Sequence, residues 1–161
     1  MPGMDMSATM THYMQLLATN QPWNLIIFMA IPVILAEYIA ITELQVLFSR
    51  NMTSIWRATN RYASIAVGLY FTGVFVYLMA TAVVPLTTSG GWRGPADVIA
   101  VGFYLLGVVP LGGMALLELG IIGKGLATNE HLKLHAIFVA IFLVVAHVAM
   151  IFGMLNPTLL A

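Results

Sequence analysis

The chain has 161 residues, 61% of them hydrophobic and 7% charged, with six basic and six acidic side chains that cancel. A soluble domain carries about 25% charged residues, so this composition cannot build a water-facing surface and suits a lipid-facing one. Nucleic acid is excluded as a partner for want of clustered Lys and Arg, and the absence of cysteine excludes disulfides, thiolate metal sites and thiol catalysis.

Residues 1–20 read as a Met-rich tail outside the membrane. Met1, Met4, Met6, Met10 and Met14, with His12, alternate there with polar or small residues. No basic segment precedes the first apolar run, so that run is expected to remain in the mature protein as a span. It covers about 23–48, opens at Pro22-Trp23 and contains Pro32, which removes a backbone donor and predicts a kink. The second span covers about 57–86, with Pro85 near its end. The third covers about 97–122 and is interrupted by Pro110 and Gly112-Gly113. The fourth begins at the N-cap residue Asn129, covers about 129–155 and ends before Asn156-Pro157.

Each run exceeds the ~20 residues that a hydrocarbon core requires. Backbone groups in lipid must pair internally, and the alternation of a β-barrel is missing. The expected fold is therefore all-α, a single membrane domain built as a four-helix transmembrane bundle with antiparallel neighbours. The first and third connections, with the helix starts beside them, hold Arg50, Arg57, Arg61, Lys124 and Lys133; the other side holds Arg93. This asymmetry predicts those connections in the cytoplasm and both termini outside, in the periplasm of a bacterial inner membrane.

A helix rises 1.5 Å per residue, so position converts to depth. Measured from the outer end of their spans, Glu43, Glu118 and His135 all fall at ~30 Å. His131 shares the face of His135 at i,i+4 spacing, Arg61 and Tyr62 fall within reach, and Glu37 lies nearer mid-bilayer on another face. Charges at such depth face the bundle interior and pair. Three uses compete: a carboxylate–histidine metal site, a proton relay or site for an ion or cationic substrate, and an ion-pair network that fixes packing. The Glu-x-x-His pairs of di-iron bundles are missing.

A second constellation is expected at the outer face. Met29, Met79, Met150 and Met154 come within ~10 Å of the outer ends of their spans. His147, Met150 and Met154 form one stripe at i, i+3 and i+7. With Met4, Met6, Met10, His12 and Met14 they concentrate soft thioether and imidazole ligands on one side, a set that suits Cu(I). Met also fills gaps in ordinary cores.

Haem b fits less well, because His131, His135 and His147 share the fourth span. Ligation would need His147 with Met29 or Met79, His12 folding back, or a dimer axis. No phosphate loop, dinucleotide fingerprint or nucleophile elbow occurs, and no catalytic residues are expected. Residues 20–48 and 146–157 resemble small bacterial four-helix membrane proteins labelled permease-like, a resemblance that implies no particular reaction. The preferred function is metal handling, with copper at the outer Met/His surface and the inner Glu/His layer coupling protons or ions. The rivals are an accessory subunit without chemistry of its own and an electron-transfer subunit holding haem or quinone. Four helices make a thin wall around a path, so a homo-oligomer or a larger membrane complex is expected.

Overall fold

The computed structural model describes residues 9–51 and 53–160. Among them there is no strand, and four helices are long and apolar enough to cross a membrane. A short helix α1 (His12–Ala18) precedes them. The spanning helices are α2 (Trp23–Ser49), α3 (Ile55–Ser89), α4 (Pro95–Glu118) and α5 (Thr128–Met154). The chain is a multi-pass membrane protein. Sequential helices pack side by side, and α5 touches α2 only sparsely. The α2/α5 seam is the loosest in the bundle.

Apolar residues fill the centre, among them Ile39 of α2, Val67 and Phe71 of α3, Leu111 and Met114 of α4, and Phe142 of α5. Helix α3 shows why the polar residues below can meet. Its buried positions are Asn60, Ser64, Val67, Gly68, Phe71, Val74 and Leu78, a stripe at helical spacing. Gly68 lets α4 come close: a Cβ there would sit 2.6 Å from the Leu111 carbonyl oxygen.

The proline positions depart from simple kinks. Helix α2 widens into a π turn over Ile26–Ala30 immediately before Pro32, and α3 does the same over Met79–Val83 before Pro85. In α2 the Ile31 N–H bonds to the Ile26 carbonyl, which leaves that of Ile27 free. Pro32 has no N–H for the Phe28 carbonyl. Both are satisfied from neighbouring helices: the Tyr70 hydroxyl donates to Ile27 O at 2.7 Å and the Tyr104 hydroxyl to Phe28 O at 2.5 Å. Such rescue is what a membrane helix needs. In α4 the break falls at Gly107, so Pro110 sits in the first turn of the segment Val108–Glu118, where a missing N–H costs little.

Several expected boundaries shift. The third span ends at Glu118, short of 122, because the chain turns through Gly120 at φ 70°. The fourth begins at Thr128, with the Glu130 carboxylate accepting from the Ala127 N–H at 3.3 Å. Residues from Thr11 onward are not a tail. The Thr11 hydroxyl caps α1 and donates to Gly153 O at 2.7 Å, which ties α1 to the end of α5. Met4 and Met6 lie outside the described residues.

Candidate functional site

Four helices contribute to a buried charge layer at the end of the bundle opposite the termini. Ser54 caps α3 by accepting from the Arg57 N–H, which places Arg57 in the first helical turn. Its two terminal nitrogens each lie 2.8 Å from one oxygen of Glu118, a fork-to-fork pair. One turn along, the Asn60 amide donates to Thr42 Oγ1 at 3.0 Å and to Ile39 O at 3.1 Å, and so fastens α3 to α2. Another turn along, the Ser64 hydroxyl donates to the Asn60 carbonyl at 2.8 Å and lies 2.9 Å from Nε2 of His135.

His135 is fully buried between two carboxylates. Its Nδ1 lies 2.9 Å from Oε2 of Glu43, and its Nε2 lies 3.7 Å from Oε1 of Glu118. The single proton of Ser64 is used on Asn60, so Nε2 is the donor toward Ser64. The Glu43 contact is close but out of hydrogen-bond alignment, and both Glu43 oxygens lack a hydrogen-bond partner among the described residues.

Sequence depth thus brings Glu43, Glu118 and His135 together as expected. The basic partner differs. Arg57 pairs with Glu118, whereas Arg61 and Tyr62 point outward, because the buried stripe of α3 runs through Asn60 and Ser64 and leaves both beside it. His131 is half-exposed and its ring makes no hydrogen bond or ion pair among the described residues. Glu37 is exposed and stands apart from the layer. Thr42, Asn60 and Ser64 escaped sequence reasoning, although polar residues at i and i+4 on an apolar helix were a usable signal.

The terminal end carries a second polar centre. Asp97, fully buried in the first turn of α4, accepts from the His12 backbone N–H at 2.6 Å and from the Arg93 N–H at 3.2 Å. Its other contact is His12 Nδ1 at 2.5 Å. Arg93 donates to the Met10 carbonyl at 2.6 Å and to the Gln15 side chain. His12 is therefore held by a carboxylate, and Met10 is engaged through its backbone. Tyr13 packs on Tyr104 with ring centres 5.0 Å apart, and burial pushes its phenol up to about 12.

Beside this centre lies an apolar groove of about 160 Å³ between α1, α2 and α5. Met14, Met29, Met150 and Met154 all line it. Met79 does not; it packs against the core from the π turn of α3. His147 lines a neighbouring cavity of about 220 Å³ that shares Met29 and Met150. No group of three or more His, Asp or Glu is placed to hold a metal ion among the described residues.

Fold and polar centres define a four-span membrane bundle with a buried charge layer at one end and a thioether groove at the other. The chain belongs to the family described as a family of unknown function, DUF6803, whose model matches residues 8–161. Comparison with curated proteins and with solved structures finds no match.

Proposed function

We propose that the protein binds a soft monovalent metal ion, Cu(I), in the thioether groove, and that the buried layer is a proton-binding centre of the same membrane protein. The observation that carries the reading is the convergence of Met14, Met29, Met150 and Met154, from three separate elements, on one small apolar groove. Thioether sulfur is a soft ligand matched to Cu(I), and apolar walls disfavour hard, hydrated ions. Met154 is 62% exposed, so an ion can reach the groove from the membrane boundary. The excess of Lys and Arg at the opposite end supports a groove on the outer, periplasmic side of a bacterial inner membrane. The free edges of a four-helix bundle suit assembly into a homo-oligomer or a larger membrane complex.

Competition with a Cu(I) chelator tests the reading on detergent-purified protein. Wild type should withhold one equivalent of Cu(I), and Met14→Leu with Met150→Leu should abolish this while the helical spectrum is kept. Unchanged binding in that double variant, or no binding by wild type, overturns it. A Soret band in the purified protein would replace it with the haem reading, and constant co-purification of another membrane chain without metal would replace it with the accessory-subunit reading.

A further inference from the structure

The 220 Å³ cavity sits at the loose α2/α5 seam and is floored by α3 and α4. Its walls include six phenyl and phenol rings: Tyr13, Phe28, Phe71, Phe103, Tyr104 and Phe142. Glu37 also lines it, together with His147, and no Lys or Arg does. Glu37 lies ~21 Å along α2 from Trp23, near mid-bilayer. It makes no hydrogen bond or ion pair among the described residues. A carboxylate at that depth is costly without a counter-charge, and each buried acidic residue among those described has a basic neighbour. Asp97 has His12, Glu118 has Arg57 and Glu43 has His135.

His147 adds a second feature. Its Nδ1 lies 2.6 Å from the Leu143 carbonyl, which can only accept, so Nδ1 is the donor there and Nε2 is left without a hydrogen bond among the described residues. The cavity therefore offers a carboxylate, an imidazole edge and several π faces, and no Lys or Arg lines it.

We propose that this cavity binds a small hydrophobic organic cation, a protonated or quaternary amine carrying an aromatic or branched apolar group. Glu37 supplies the counter-charge and the aromatic walls supply cation–π and apolar contact. The exposed seam admits such a ligand from the lipid, where amphiphilic cations concentrate. Its volume is below the ~300 Å³ lower bound of pockets for drug-sized ligands, so a single ring with an ammonium group matches it. The proposal is independent of metal binding in the groove.

Benzyltrimethylammonium and its neutral carbon isostere, neopentylbenzene, are the probes, titrated against purified protein in nanodiscs. The cation should bind saturably, and Glu37→Gln should weaken it at least tenfold while leaving the neutral isostere unchanged. Glu37→Asp, which keeps the charge, should stay within a few-fold of wild type, and Phe142→Leu should weaken the cation more than the isostere. Cu(I) retention by Glu37→Gln should match wild type, so failure here is distinct from failure in the groove. The proposal is overturned if the cation binds no better than the isostere or if Glu37→Gln leaves its affinity intact. It is equally overturned if that variant instead dissolves an oligomer without altering cation affinity, since Glu37 is then an interface residue.

Discussion

Arg57 and Glu118 face each other across the α3/α4 interface with two matched contacts of 2.8 Å, and the carboxylate they share borders the imidazole of His135. The pair closes the bundle at the end where α4 terminates. It fixes how far α3 can slide along α4 while Gly68 keeps the two helices close.

Removing one partner leaves a buried charge without compensation. Glu118→Gln should destabilise the folded protein by about 3–5 kcal/mol. Glu130→Gln, at an exposed position whose carboxylate accepts only from the Ala127 N–H, should cost less than ~1 kcal/mol. Denaturation in detergent measures both. Cu(I) retention and any transport assay should follow the same order, and equal behaviour of the two variants would remove the claim that the layer matters.

Tyr104 and Tyr70 carry out the same task with different burial. Tyr104→Phe leaves the Phe28 carbonyl without a donor inside the bundle and should cost about 1–3 kcal/mol. Tyr70→Phe frees the Ile27 carbonyl nearer the surface and should cost less. Thermal unfolding of the two variants side by side gives the comparison.

Asp97 accepts three contacts that reach α1 and the α3–α4 loop. Asp97→Asn removes the charge that holds the His12 ring and weakens the N-terminal start of α4. Amide hydrogen exchange should accelerate through His12–Ala18 and leave Ile55–Leu78 unchanged. Uniform acceleration would show that Asp97 serves the whole bundle rather than the docking of α1.

Tyr13 gives the docking of α1 a pH dependence. Its phenol ordinarily titrates at 10.0 and is pushed to about 12 because burial disfavours the phenolate. The folded state therefore keeps a proton that the unfolded chain loses first. Its contribution is fully present below pH ~10 and is lost as pH rises toward ~12. Phenolate absorbance should lose one late-titrating component in Tyr13→Phe, and the variant should lose the corresponding alkaline slope in stability.

Axial position was legible in the sequence and azimuth was less so. Rise per residue is constant, so Glu43, Glu118 and His135 could be set at one depth before any packing was known. Choosing between Arg57 and Arg61 required knowing which side of α3 meets α4, and one turn of helix separates them. Asn60, Ser64 and Thr42 are unremarkable as single residues; only their mutual contacts distinguish them. The segment from Thr11 to Ala18 looked like a tail because its anchors, Asp97 and Gly153, are far away in sequence. The methionines that converge do so for a similar reason: Met14 joins Met150 and Met154 only once α1 has folded back, while Met79 is drawn toward the core.

A π turn is equivalent to one residue added within an otherwise regular helix. Deleting a single residue from Ile26–Ala30 would restore unbroken α geometry and rotate everything on its N-terminal side by roughly 100° about the axis. Thr11 and His12 would then be carried away from the Gly153 carbonyl and the Asp97 carboxylate that hold α1 in place. A length change of one residue, with no alteration of hydrophobicity, would thus unseat α1 from a bundle whose membrane-spanning core is otherwise intact.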